Sequence, residues 1–154
     1  MLRKIAKVLC LRNIYALVQE SSNIAGNTPT QNSLENAMGV VQHECGLGPG
    51  SRMIALSPGG GTALFHAAAT TGCSSFGVYD DTSNLELIAL NNQVQLFQAG
   101  GVSAIASQVF VLNADITSAS ILNPFSHLFM LNPELSLRRL SELAEMFNRS
   151  ASVK

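Results

Sequence analysis

The sequence has 154 residues, enough for one domain with a modest core. Hydrophobic residues make up 47% and charged residues 12%, which excludes intrinsic disorder, and no run of about 18 apolar residues offers a membrane span. A net charge of -1, 6% aromatics and no Trp argue against a basic nucleic-acid face or a base-stacking platform, so neither nucleic acid nor membrane is an expected partner.

Four of the nine basic residues, Arg3, Lys4, Lys7 and Arg12, precede the first acid, Glu20. Ile5, Val8, Leu9, Leu11 and Ile14 recur near helical spacing among them. This start reads either as a surface helix docked on the domain or as a mitochondrial transit segment. Residues 21–33 are polar and contain Gly26, Asn27 and Pro29, so they read as a linker. The predicted division is an N-terminal helix and linker over 1–33 and an α/β domain over 34–154. Cys10, Cys45 and Cys73 are odd in number and widely spaced, which fits reduced thiols in an intracellular protein.

Ser33 is a predicted cap for a helix through Leu34, Ala37, Met38 and Val41, ending at the breakers 46–50. From Arg52 onward short apolar runs alternate with helical stretches. Predicted strands are Met53–Leu56, Phe76–Tyr79, Gln108–Leu112 and His127–Leu131. Predicted helices are Gly61–Thr71, Ser83–Gln98 and Glu134–Phe147. The alternation implies right-handed βαβ units and a parallel sheet.

Ser57-Pro-Gly-Gly-Gly61 joins the first strand to the first helix of that series. Glycines there let a ligand lie against the backbone at a helix N-terminus, or simply make a tight turn. The second strand ends in Tyr79-Asp80-Asp81. A carboxylate at that point suits ribose hydroxyls or a helix cap before Ser83, and its separation from the glycine loop favours the ribose. No Lys follows the glycines, so this is not a phosphate loop of the Gly-Lys-Ser/Thr type. His43, Glu44 and Cys45 are consecutive and would point apart on a helix, so no metal site is expected. His66 reads as a packed core or boundary residue, and His127 has no nucleophile motif beside it.

These motifs resemble the class I S-adenosylmethionine-dependent methyltransferases, a Rossmann-like family. Ile54-Ala-Leu-Ser-Pro-Gly-Gly-Gly61 stands where that class has hydrophobic-Asp-hydrophobic-Gly-x-Gly-x-Gly, and Gly59 and Gly61 match. Within the class the sequence looks most like the histone-lysine methyltransferases of the disruptor-of-telomeric-silencing type. The similar elements are the Ala-rich Leu64–Cys73 stretch, Phe76–Tyr79, Ala114-Asp115-Ile116 and Phe129-Met-Leu-Asn132. The departures are Ala55 at the first-strand acid, Ser57 at a glycine and Tyr79 at the ribose-binding acid, with Asp80 one place later.

The resemblance implies S-adenosylmethionine as cofactor, with Gly59 and Gly61 admitting it, Asp80 holding ribose and Asp115 contacting adenine. It implies methyl transfer to a protein lysine amine, histone-like, with Asn132 as the catalytic residue that orients the amine. From the residues alone Asn132 is equally a turn residue before Pro133. The alternative function is a catalytically degenerate binding or assembly module, which Ala55 and Tyr79 favour. The class has seven strands and this sequence offers four, so the expected fold is a partial Rossmann-like sheet with an open edge at the fourth strand. Self-association or a partner chain should cover that edge. The expected location is intracellular: the nucleus for a histone-type enzyme, or the mitochondrion for a transit segment.

Overall fold

The structure is a computed structural model, and it describes residues 30–56, 61–79, 91, 94–95, 103–130 and 136–153. In chain order the elements are α1 (Gln31–Cys45), β1 (Arg52–Leu56), α2 (Thr62–Thr71), β2 (Ser74–Tyr79), the single turn α3 (Ser103–Ala106), β3 (Val109–Asn113), a 3-10 turn (Ile116–Ser118), β4 (His127–Met130) and α4 (Leu137–Arg149). The predicted N-terminal helix lies outside the described residues, as does almost all of the predicted Ser83–Gln98 helix.

The four strands form one parallel sheet in the order β3-β2-β1-β4. Arg52 aligns with Ser74, Met53 with His127, and Ser75 with Val109. Central β1 is buried from Met53 to Leu56. That is the pattern of a parallel strand covered on both faces, which reads as a continuous apolar run rather than an alternation.

Strand periodicity divides the core in two. Met53, Ala55, Tyr79 and Val109 point to one face, where they meet Met38, Leu64, Phe65, Ala67 and Ala68 from α1 and α2. Ile54, Leu56 and Val78 point to the other, against Leu122 of the β3–β4 connection and Leu143 and Met146 of α4. On that second face Phe76 stacks on Phe110 at 4.7 Å between ring centroids and meets Phe125 edge-on at 5.1 Å.

The caps explain the helix limits. The helix expected to start at Ser33 starts instead at Gln31, because the Thr30 hydroxyl accepts the Ser33 N–H. Residues 31–33, read from sequence as linker, are therefore helical. At the other end Gly46 adopts φ +70 and the Leu47 N–H reaches back to the Val41 carbonyl at 3.4 Å, with Leu47 buried behind it. Ser136 caps α4 through the Arg139 N–H. Beyond its C-terminus the buried Ser150 Oγ accepts the Leu122 N–H at 2.7 Å and donates to the Met146 carbonyl at 2.6 Å. One hydroxyl thus ties α4 to the connection that packs beneath it.

Two of the cysteines fall among the described residues. Cys45 ends α1 and is half-buried, whereas Cys73 is buried before β2 with its Sγ 3.4 Å from Ser75 Oγ. Among the described residues no helix is long and apolar enough to cross a membrane.

Candidate functional site

Four parallel strands deliver their carboxyl ends to one edge of the sheet, and in open α/β sheets ligands bind in the crevice outside those ends. The residues brought there are Leu56, Gly61 and Thr62, Tyr79, the Asn113–Asp115 corner, and Met130. Of the predicted site residues, the structure places Gly61 and Asp115 at this edge. Gly59, Asp80 and Asn132 lie outside the described residues.

Gly61 has φ +80, a left-handed backbone that any side chain would strain. Its carbonyl accepts the Leu64 and Phe65 N–H groups at 2.9 and 3.2 Å, which starts α2 directly behind β1. Among the described residues no side chain caps this helix. Its first turn, buried from Gly61 to Leu64, carries backbone donors and the positive end of the helix dipole, which suit an anionic ligand group.

Thr62 is the first residue of α2, and the sequence motifs do not single it out. It is 2% exposed, and its Oγ1 is buried without a hydrogen-bond partner among the described residues. An unmet buried hydroxyl costs about 1–3 kcal/mol. Its signal in the sequence was a hydroxyl residue placed immediately after the last glycine.

Asp115 follows β3 on the exposed side of the corner. Its Oδ1 accepts the Thr117 hydroxyl at 2.7 Å and the Thr117 N–H at 2.9 Å, and it caps the 3-10 turn. Those two bonds, the hydroxyl first, hold its carboxyl below the usual carboxylate range, with Arg139 adding attraction. The corner itself is fixed by the Ala114 N–H, which donates to the Tyr79 carbonyl at 3.1 Å.

The two departures noted in the motif are packed positions. Ala55 is 1% exposed and Tyr79 is 2% exposed, both in the core cluster on the α2 side of the sheet. Neither offers a carboxylate to the crevice. The other candidates sit elsewhere. His66 is buried within α2. His127 starts β4 at the opposite edge of the sheet, where Nδ1 meets Ser126 Oγ and Nε2 meets the Cys45 carbonyl, each at 2.9 Å. His43 pairs with its neighbour Glu44 on the surface. Among the described residues no three His, Cys, Asp or Glu side chains converge as metal ligands would.

No protein-family model matches the sequence, and no curated protein matches it. Solved structures do match the fold. A methyltransferase from Thiobacillus denitrificans in complex with S-adenosylhomocysteine superposes with a TM-score of 0.59 at 19% identity, over 88% of this chain and 49% of that one. A methyltransferase from Geobacter sulfurreducens with the same ligand gives 0.58 at 16% identity, over 92% and 51%. An RNA methyltransferase from Salinibacter ruber, also with S-adenosylhomocysteine, gives 0.52 at 16% identity, over 80% and 72%. The fold is that of the class I S-adenosylmethionine-dependent methyltransferases. The chain spans about half the length of the first two of these proteins. The sheet order β3-β2-β1-β4 with flanking helices is the partial Rossmann-like arrangement expected from the sequence. At these identities the likeness concerns the fold, and it does not extend to the histone-lysine type in particular.

Proposed function

We propose that the chain binds S-adenosylmethionine at the carboxyl edge of β1–β3 and transfers its methyl group to an amine. The observation that carries this reading is Gly61 at φ +80 opening an uncapped α2 behind the central strand, with a buried, unpartnered Thr62 hydroxyl in its first turn. These groups fit the polar end of the cofactor, and the exposed Asp115 carboxylate fits the exocyclic amine of its adenine. Gly59 and Asp80 complete the proposed set, at the glycine loop and at the ribose. When bound there, the cofactor supplies a methyl group on a sulfonium.

The acceptor we propose is a protein lysine amine, on the strength of the resemblance in sequence, with Asn132 holding it through its side-chain carbonyl. The charge pattern supports a cationic acceptor. Between Arg52 and Arg138 there is no Lys or Arg, while Asp80, Asp81, Glu86, Asp115 and Glu134 are acidic. A phosphate backbone finds no counter-charge in that stretch. A lysine has an ordinary pKa near 10.4, so the site must also favour the neutral amine, which desolvation in a closed crevice would do.

A second reading is a binding or assembly module without catalysis. The packed Ala55 and Tyr79 favour it, because each replaces a carboxylate of the class. A lost charge-assisted hydrogen bond costs about 1.5–3 kcal/mol, roughly ten- to a hundredfold in affinity. Calorimetric titration with S-adenosylhomocysteine tests the first reading. Weak but saturable heat is expected, and no heat and no thermal shift at millimolar ligand would overturn it in favour of the module. Transfer of labelled methyl to a lysine peptide then separates the enzyme from the module.

A further inference from the structure

The corner that follows β3 fixes Asp115 from both sides. The Tyr79 carbonyl, at the end of β2, accepts the Ala114 N–H at 3.1 Å. The Asp115 carbonyl accepts the Ser118 N–H at 3.1 Å and the Ser118 hydroxyl at 2.7 Å. Asp115 is thus mounted two residues beyond Asn113, where β3 makes its last pairing with β2 at the carboxyl edge of the sheet.

Its side chain is fixed too, and through one oxygen. Both Thr117 donors go to Asp115 Oδ1, the hydroxyl at 2.7 Å and the N–H at 2.9 Å. A cap needs only the N–H. The terminal torsion of an Asp is otherwise broad, and the hydroxyl adds a second direction that sets the carboxylate plane. Thr117 is half-buried, whereas Asp115 is exposed. Oδ2 takes no bond from any described residue. The same two bonds keep the carboxyl ionised at neutral pH, and an ionised carboxylate can only accept. Adenine presents a donor at its exocyclic amine, whereas a purine with a carbonyl in that place presents an acceptor.

We propose that Thr117 is the positioning residue of a base-reading carboxylate: it occupies Asp115 Oδ1 and leaves Oδ2 for the ligand, so that the chain selects a purine with an exocyclic amine over one with a carbonyl there. The inference rests on the cofactor reading proposed above and adds the source of its selectivity. Without the Thr117 hydroxyl the carboxylate keeps its charge but loses its orientation. Affinity for the amine-bearing base should then fall, while affinity for the carbonyl-bearing base should stay.

The test is calorimetric titration of the full chain with S-adenosylhomocysteine and with S-inosylhomocysteine, in which a carbonyl replaces the exocyclic amine. Wild type should prefer the adenosyl ligand by roughly tenfold, the worth of one hydrogen bond to a charged group. Thr117→Val should lose most of that preference, and Thr117→Ser, which keeps the hydroxyl, should retain it. A loss of stability alone would weaken both ligands alike and leave their ratio unchanged. Asp115→Asn gives a second reading that does not depend on Thr117→Val folding: its amide can donate to a carbonyl, so the preference should shift toward the inosyl ligand. Equal binding of the two ligands by wild type would overturn the inference and leave the cofactor reading standing. So would a Thr117→Val chain with the wild-type ratio, which would make Thr117 a cap alone. Failure of wild type to bind either ligand would overturn the cofactor reading and this inference together.

Discussion

His127 Nε2 lies 2.9 Å from the carbonyl oxygen of Cys45, so the first residue of β4 is bonded to the last residue of α1. A carbonyl can only accept, so Nε2 carries the proton. The other ring nitrogen meets Ser126 Oγ, which also accepts the Arg52 N–H at 2.9 Å. Three segments distant in sequence are thus joined at the edge of the sheet opposite the candidate site. His127→Phe keeps the ring but strands the Cys45 carbonyl, and should destabilise by about 1–3 kcal/mol. Urea unfolding with an unchanged m-value would read this directly. An unchanged midpoint would show that the imidazole only fills space.

Adjacent substitutions at the start of α2 should have opposite signs. Gly61→Ala places a Cβ on a left-handed backbone and should cost about 1–2 kcal/mol. Thr62→Val removes a buried hydroxyl that lacks a partner and should raise stability by about 1 kcal/mol. The same Thr62→Val chain should bind S-adenosylhomocysteine more weakly. Stability and affinity moving in opposite directions would mark Thr62 as a ligand contact, whereas a destabilised Thr62→Val chain would show that the hydroxyl is satisfied.

Asp115 should leave a signature on the acid side. Its carboxyl is held below the ordinary 3.8, first by the Thr117 hydroxyl and then by the Thr117 N–H. A lowered native pKa contributes stability that is fully present above the unfolded pKa and is lost as pH falls through the native one. Removing the group should therefore lower Tm at neutral pH and leave it unchanged well below 3.8. Asp115→Ala and Thr117→Val should share that convergence with wild type in thermal scans from neutral to strongly acidic pH. A constant offset at every pH would mean the effect is packing rather than charge.

Ser150→Ala should cost about 1–3 kcal/mol, because it leaves the buried Leu122 N–H unpaired. Hydrogen exchange should show which side opens. Faster exchange at Leu122 together with the last turn of α4 is expected, and faster exchange at Leu122 alone would show that α4 is held by its apolar contacts.

The four strand segments and the helices α1, α2 and α4 were legible because each strand is a short apolar run and each of these helices is bounded by a capping hydroxyl or a glycine. Register was less so. β2 begins at Ser74, two residues before the apolar Phe76, because the Ser74 and Ser75 backbones pair with neighbours whatever their side chains. α1 begins at Gln31 for a similar reason: Thr30 and Ser33 are both good caps, and their mutual bond at 2.8 Å is visible only in three dimensions. At the candidate site the glycine turn and the acid after β3 stand out in a sequence. The buried, unpaired state of Thr62 does not, since it depends on what surrounds the first turn of α2.

The ladder also sets an order of events in time. β1 takes one neighbour, β2, across the crossover that holds α2, and the other, β4, from 74 residues along the chain. Closing the longer loop costs about 1 kcal/mol more chain entropy than closing the shorter one. Nucleation should therefore centre on β1, α2 and β2, with β4 and α4 docking after the rate-limiting barrier. On a ribosome the central strand would wait for one side of its hydrogen bonding until His127 emerges. Substitutions at Phe65 or Ala68 should then slow folding, whereas those at Leu143 or Met146 should leave the folding rate and speed unfolding.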